Sequence, residues 1–200
     1  MTMNFAGPAA RLDDGDVERA AAALGCDRGA ILAVVHVESA GSGFLADGRP
    51  KILFEATVFH RLTGGRFDGT APDLSSPTWN RALYKGGAAE YKRLQAAMAL
   101  DEDAALCSAS WGMFQVMGEN FHACGFASVT DFVAAMVAGE GRQLDAFVAF
   151  VKASPAMAQA LAAHDWAGFA RHYNGPGYQE NHYDTKLATA YQQAGGTALA

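Results

Sequence analysis

Apolar side chains recur three and four residues apart along most of the chain, the period of helices that bury one face. Val17, Ala21 and Leu24 mark a first helix, capped by Asp13 or Asp14 and stopped by Gly25. A second follows a cap at Asp27; on it Ile31, Val34, Val35 and Glu38 share one face, and Gly41 and Gly43 end it. From residue 41 to 86 the pattern breaks and glycine, proline and aspartate become frequent. Lys51-Ile-Leu-Phe54 is the best strand candidate there, after the turn Asp47-Gly-Arg-Pro50, and a short helix over Ala56–Leu62 ends at Gly64-Gly65. Residues 66–87 read as a long loop, and loops of that length inside a compact domain are usually functional, so they are expected to form one wall of a cleft.

The helical period returns at Ala88 and runs to Leu100. It continues in a helix capped by Asp101 through Ala105 to Ala109, and in one capped by Thr130 over Asp131–Ala138. Between those two lies a short buried piece, Trp111–Met117, with glycines at both ends. Leu144, Phe147, Val148 and Val151 mark a further amphipathic helix, Pro155 opens Ala156–Ala163, and Asp165 caps Trp166–Tyr173. Asn174-Gly-Pro-Gly177 breaks the pattern before a last helix from Tyr183 to Tyr191. The expectation is an α+β, mostly α-helical domain over residues 12–192, with a small β-containing insertion, a loose lead over 1–11 and a tail over 193–200.

Among these elements Glu38 is the exception to the apolar stripe. Three of the four positions on its helix face are aliphatic, and it falls in the last turn, near the negative end of the helix dipole. Desolvation and the dipole both disfavour the carboxylate, so the pattern predicts a raised pKa. A Glu that keeps its proton near neutral pH is suited to general-acid work. The ordinary alternative is a Glu that turns to solvent at a frayed helix end.

Composition narrows the field. The chain has 200 residues, half of them hydrophobic and 18% charged, as a folded domain with a core requires. Its net charge of −6 and the lack of any Lys/Arg cluster argue against nucleic acid as a partner. Apolar runs such as Ala30–Val37 fall far short of the roughly 20 residues that span a bilayer. Residues 1–11 lack the pattern of a signal peptide, so synthesis in a cytoplasm is expected. Cys26, Cys107 and Cys124 cannot close a disulfide framework and read as buried thiols. The six histidines are scattered without zinc spacing, so neither a metal nor any other cofactor is expected, and the protein is expected to be a monomer.

Four stretches carry candidate chemistry: Val37–Phe44 (V-E-S-A-G-S-G-F), Arg49–Glu55 (R-P-K-I-L-F-E), Ser108–Gly118 (S-A-S-W-G-M-F-Q-V-M-G) and Trp166–Tyr178 (W-A-G-F-A-R-H-Y-N-G-P-G-Y). No nucleophile elbow, P-loop or dinucleotide fingerprint accompanies them. An acid ending a helix, then S-x-G-x-x-Q, then Y-N-G, in that order, resembles the lysozyme-like superfamily. In detail it resembles the N-acetylmuramidase catalytic domain of the phage endolysin type. The likeness covers roughly residues 12–192.

The resemblance implies a lysozyme-like fold acting on peptidoglycan strands, with Glu38 as the general acid. It also places Ser110, Gln115, Tyr173 and Asn174 along the cleft as substrate-binding residues. Ser110 and Gln115 offer polar groups to an N-acetyl or hydroxyl group, although Gln115 could equally brace the core and Asn174 could be only a helix cap. Glu55, seventeen positions after Glu38, is the natural second carboxylate; alternatively it caps the Ala56 helix or pairs with Arg61 or Lys51. Asp47 and Asp68 are weaker candidates for that role. Carboxyls roughly 5–5.5 Å apart would favour a retaining route and roughly 6.5–9.5 Å an inverting one. Trp79, Tyr84, Trp111 and Tyr178 could stack on sugars, although each suits core packing.

The function implied is cleavage of the β-1,4 bond between N-acetylmuramic acid and N-acetylglucosamine. The nearest rival is a lytic transglycosylase, which yields 1,6-anhydro ends. A rival of another class is a non-catalytic glycan-binding or virion-structural domain. Without a signal peptide, such an enzyme is expected to reach the wall by holin-type release.

Overall fold

The computed structural model describes residues 4–39 and 41–195. Ala40, inside the first motif, and part of each expected terminal segment (1–3 and 196–200) lie outside the described residues. Ten α-helices and a three-stranded antiparallel sheet make up the regular structure of the described residues. Helices α1 (Asp14–Leu24) and α2 (Arg28–Ser39) are the two expected at the N-terminal end, and the chain bends by 112° between them. Asp13 starts α1 through a capping box with Asp16, and the Asp27 carboxylate accepts from the Ala30 N–H at the start of α2.

Strand β1 (Ile52–Phe54) precedes α3 (Ala56–Thr63), and the cleft-wall loop then leads through two short 3-10 turns to α4 (Glu90–Met98). Helix α5 (Glu102–Cys107) stops two residues before the sequence pattern predicts, because Ala109 already belongs to a strand. The piece expected only as buried, Trp111–Met117, is most of a β-hairpin: β2 (Ala109–Trp111) pairs with β3 (Val116–Met117). Strand β2 also pairs with β1, setting Ile52 opposite Trp111 and Phe54 opposite Ala109. The sheet therefore joins the second motif to the third.

Helices α6 (Val129–Ala138), α7 (Glu140–Lys152), α8 (Pro155–Ala162), α9 (Trp166–Asn174) and α10 (Tyr183–Gln193) complete the fold. Ser128, not Thr130, caps α6: its hydroxyl accepts from the Asp131 N–H. Ser154 and Asp165 cap α8 and α9, with Pro155 in the first turn of α8 as expected.

One hydrophobic cluster runs from Phe5 to Tyr191. It holds Ile31 and Val34 of α2, Phe54 of β1 and Trp111 of β2, all at most 1% exposed. The lead expected to be loose is pinned over its described part. Phe5 packs against Tyr91 and Trp111 with ring centroids 5.1 and 5.8 Å away, and Ala10 bridges to Gly139. Among the described residues no single helix is long and apolar enough to cross a membrane.

Candidate active site

Glu38 ends α2 on the side facing α10 and the turn after α9. Its Oε1 is buried and has no hydrogen-bond partner among the described residues. Burial pushes the carboxyl up to about 7, against the opposing pull of the Asn174 side chain and the Lys186 charge. Oδ1 of Asn174 is likewise buried without a partner. Asn174 is the last residue of α9, and Gly175, at φ 79°, takes the cap position. The Tyr173 hydroxyl donates to the Phe114 carbonyl at 2.6 Å, and its ring stacks on Phe169 with centroids 5.6 Å apart. Burial, then the nearby Glu38 charge, raise the Tyr173 phenol well above its ordinary value.

Two cavities meet in front of this acid. One, of about 350 Å³, is lined by Glu38, Leu45, Lys51, Gly87, Met113 and Gln115. The other, of about 870 Å³, is lined by Glu55, Trp79, Arg81, Tyr84, Asn181 and Tyr183. Leu53 and Gly86 belong to both walls, so the two form one continuous cleft. Its wall includes the 66–87 loop, as that loop's length suggests.

The sequence candidates fall into three groups. Glu38 and Gln115 line the first cavity and Glu55, Trp79 and Tyr84 the second, whereas Tyr173 and Asn174 line neither and bear instead on the Glu38 carboxyl. Glu55 occupies the N-cap position of α3 without a side-chain cap bond, and its carboxylate accepts from the Tyr84 hydroxyl instead. Neither suggested ion pair forms: Arg61 bonds to Glu119, and Lys51 Nζ donates to the Ser39 carbonyl at 3.2 Å. That bond leaves Glu55 on the cleft wall with one oxygen engaged.

Ser110 is buried, and its hydroxyl donates to Gln115 Oε1 at 2.9 Å. Gln115 Nε2 donates in turn to the Gly112 carbonyl at 2.8 Å. These bonds hold Gln115 at φ 49°, a left-handed conformation that a non-glycine residue adopts only under constraint. Trp111 and Tyr178 are core residues at 1% and 4% exposure, whereas Trp79 is 64% exposed. Asp47 is tied to Arg49 on its own turn, and Asp68 to His60 and Ser75; neither lines the two cavities.

Three buried polar residues that pattern reading passes over hold the cleft together. Glu140, at the start of α7, accepts from the Gly43 N–H at 2.9 Å and the Ser42 hydroxyl at 3.0 Å, anchoring the turn that follows Glu38. Gln143, one turn on, accepts from the Met113 N–H at 2.7 Å and donates to the Met136 carbonyl at 2.8 Å. Both Gly43 and Gly112 pack on Gln143 so closely that a Cβ would sit 2.0 Å and 2.7 Å from its Oε1. Glycine in the first and third motifs is therefore demanded by one buried amide. Glu90 accepts from the N–H groups of Lys85 and Gly86 at 2.6 and 2.9 Å and from Arg93 at 2.8 Å. Burial opposes its charge, but those donors outweigh burial and hold its pKa below the usual carboxylate value. Glu90 thus fixes the cleft lip at Gly86. Spaced acids of this kind look like surface charge in a sequence; only a glycine partner in an unrelated motif hints otherwise.

The family model for N-acetylmuramidases matches residues 27–195, which include Glu38, the sheet and the Tyr173-Asn174 turn. The chain belongs to the N-acetylmuramidase family. A muramidase is a glycosidase that hydrolyses peptidoglycan, and the cleft described above is the candidate site for that activity. Among solved structures, the crystal structure of the Burkholderia AP3 phage endolysin is similar at TM-score 0.88 and 43% identity, over 94% of this chain and 73% of that one. This muramidase therefore has the lysozyme-like fold of an endolysin, mostly helical with a small sheet. No curated protein is significantly similar to it. Among the described residues, no three His, Cys, Asp or Glu side chains cluster as a metal site would require.

Proposed function

We propose that this muramidase cleaves the β-1,4 bond from N-acetylmuramic acid to N-acetylglucosamine, with Glu38 protonating the leaving oxygen. The observation that carries this reading is the state of Glu38: a carboxyl at the cleft, pushed up to about 7 by burial, with an oxygen free of any partner among the described residues. A proton held there is available at neutral pH. As the glycosidic bond breaks, positive charge develops on the sugar ring, and the ionising Glu38 stabilises it. Water then adds to C1, assisted by Glu55 from the adjoining wall. Ser110 acts by fixing Gln115, whose exposed edge meets the sugar, while Tyr173 and Asn174 position Glu38 from behind.

One observation favours a second reading. Glu55 lines the second cavity while Glu38 lines the first, and Glu55 is already bonded to Tyr84. If Glu55 does not deliver water, the 6-hydroxyl of the muramic acid closes on C1 and the product is a 1,6-anhydro end. Mass spectrometry of muropeptides decides between them. Hydrolysis gives ends that borohydride reduces; the anhydro product is one water lighter and does not react. Reducible ends are expected, and anhydro ends throughout would overturn the hydrolytic step while leaving Glu38 as the acid.

The likeness to a phage endolysin supports a role in lysis, with the protein made in a cytoplasm and released to the wall by a holin-type pore. It is proposed to act as a monomer, with peptidoglycan as its partner and without nucleic acid.

A further inference from the structure

The larger cavity has a character that cleavage by Glu38 does not require. In a chain of net charge −6 it presents two cations, Arg81 and Lys85, and only one carboxylate, Glu55, which the Tyr84 hydroxyl already engages. Eight of the ten arginines lie within ion-pair reach of a carboxylate among the described residues, and Arg81 is one of the two that do not. Its guanidinium lies over the Tyr84 ring, 5.8 Å from the centroid. Among the described residues Lys85 Nζ has only the Ala82 carbonyl, at 3.2 Å. Beside them stands Trp79, 64% exposed, with its ring 6.0 Å from that of Tyr84. An exposed indole offers an apolar face to a pyranose ring, and an unpaired guanidinium offers a planar fork to a carboxylate.

We propose that this cavity binds a muramic acid unit through its carboxylates, with Trp79 under the sugar and Arg81 and Lys85 on the acidic groups that the unit carries. The proposal rests on the peptidoglycan reading above and adds a specificity to it. The glycan backbone alone is uncharged; its anions are those of the stem peptide or, where no peptide is attached, of the lactyl group. Unsatisfied cations beside a sugar-sized aromatic face select strands that bear such anions over neutral ones.

The experiment measures kcat/KM for reducing-end release by the wild-type protein and by the Arg81→Ala/Lys85→Ala variant. Three substrates are compared: native peptidoglycan, strands stripped of peptide by an amidase, and native strands whose carboxylates are converted to amides. The variant is expected to lower the native-to-amidated ratio of kcat/KM about tenfold, mainly through KM. A fall on native strands alone assigns the contact to the stem peptide, and a fall on both native and stripped strands shows that the cations take whichever carboxylate the muramic acid unit carries. A ratio that does not change, or an equal loss on amidated strands, would overturn the proposal. Calorimetry with a soluble acidic stem tetrapeptide reads the same site without turnover. If no strand is cleaved by the wild-type protein, the glycosidase reading fails, while loss of tetrapeptide binding in the variant still reports on the cavity.

Discussion

Burial pushes the Glu38 carboxyl up to about 7, so its protonated form persists into the neutral range. Two consequences follow at this one residue. The protonated form is the acid, so kcat/KM is expected to fall above about pH 7 with one ionisation; a kcat/KM that stays level to pH 9 would remove Glu38 from that role. The second concerns stability. The folded-state value lies above the unfolded one, so the contribution of Glu38 to stability is fully present below about pH 4.5, falls as pH rises, and levels off beyond about 7. Glu38→Gln removes that penalty, and the variant is expected to be about 2 kcal/mol more stable than the parent at pH 8 by urea unfolding. Equal stability at pH 8 would show that the carboxyl is not desolvated as described. This much was legible in the sequence: an acid on an apolar face in the last turn of a helix, with its sign of shift set by burial and dipole. The partners of Glu38 were not, since Asn174 and Lys186 reach it from elements far along the chain.

Between elements the cleft depends on buried polar clamps. Gln143 on α7 ties the hairpin at Met113 to α6 and fills the space above Gly43 and Gly112. Gly43→Ala must displace a side chain fixed by two hydrogen bonds, and about 2 kcal/mol of destabilisation is expected, read as a lower urea midpoint. The Glu90 and Arg93 side chains form a buried ion pair, so Glu90→Gln is expected to destabilise by about 3 kcal/mol by leaving the guanidinium without its counter-charge. A change below about 0.5 kcal/mol would place that pair at the surface rather than in the core. These links were illegible because nothing local marks them. The period of α1, α2 and α10 follows from side-chain spacing alone. Strands of two and three residues are too short to show alternation, so β2 and β3 read only as a buried piece. The pairing of Ile52 with Trp111 joins segments far apart in sequence, and no local pattern encodes such a register. Ser128 displaced Thr130 as a cap because both residue types suit the role, and only the start of α6 distinguishes them.

Taken whole, the molecule is acidic while its candidate cleft carries Lys51, Arg81 and Lys85 on its walls. A net charge of −6 gives no attraction to an anionic outer surface. Added from outside, the protein is therefore expected to lyse Gram-negative cells only after their outer membrane has been permeabilised. Unaided killing of intact cells, scored by plating, would contradict that expectation. The order of the motifs along the chain made the family legible before any coordinates, and the family match over residues 27–195 agrees with it. The claim that joins fold to chemistry is that Glu38 is the acid. Its most direct test is the release of reducing ends from purified peptidoglycan by Glu38→Gln, with folding verified by circular dichroism and thermal unfolding. The expected result is a fall in kcat of at least about a hundredfold in a fully folded protein. Release within a few fold of the parent would contradict the assignment.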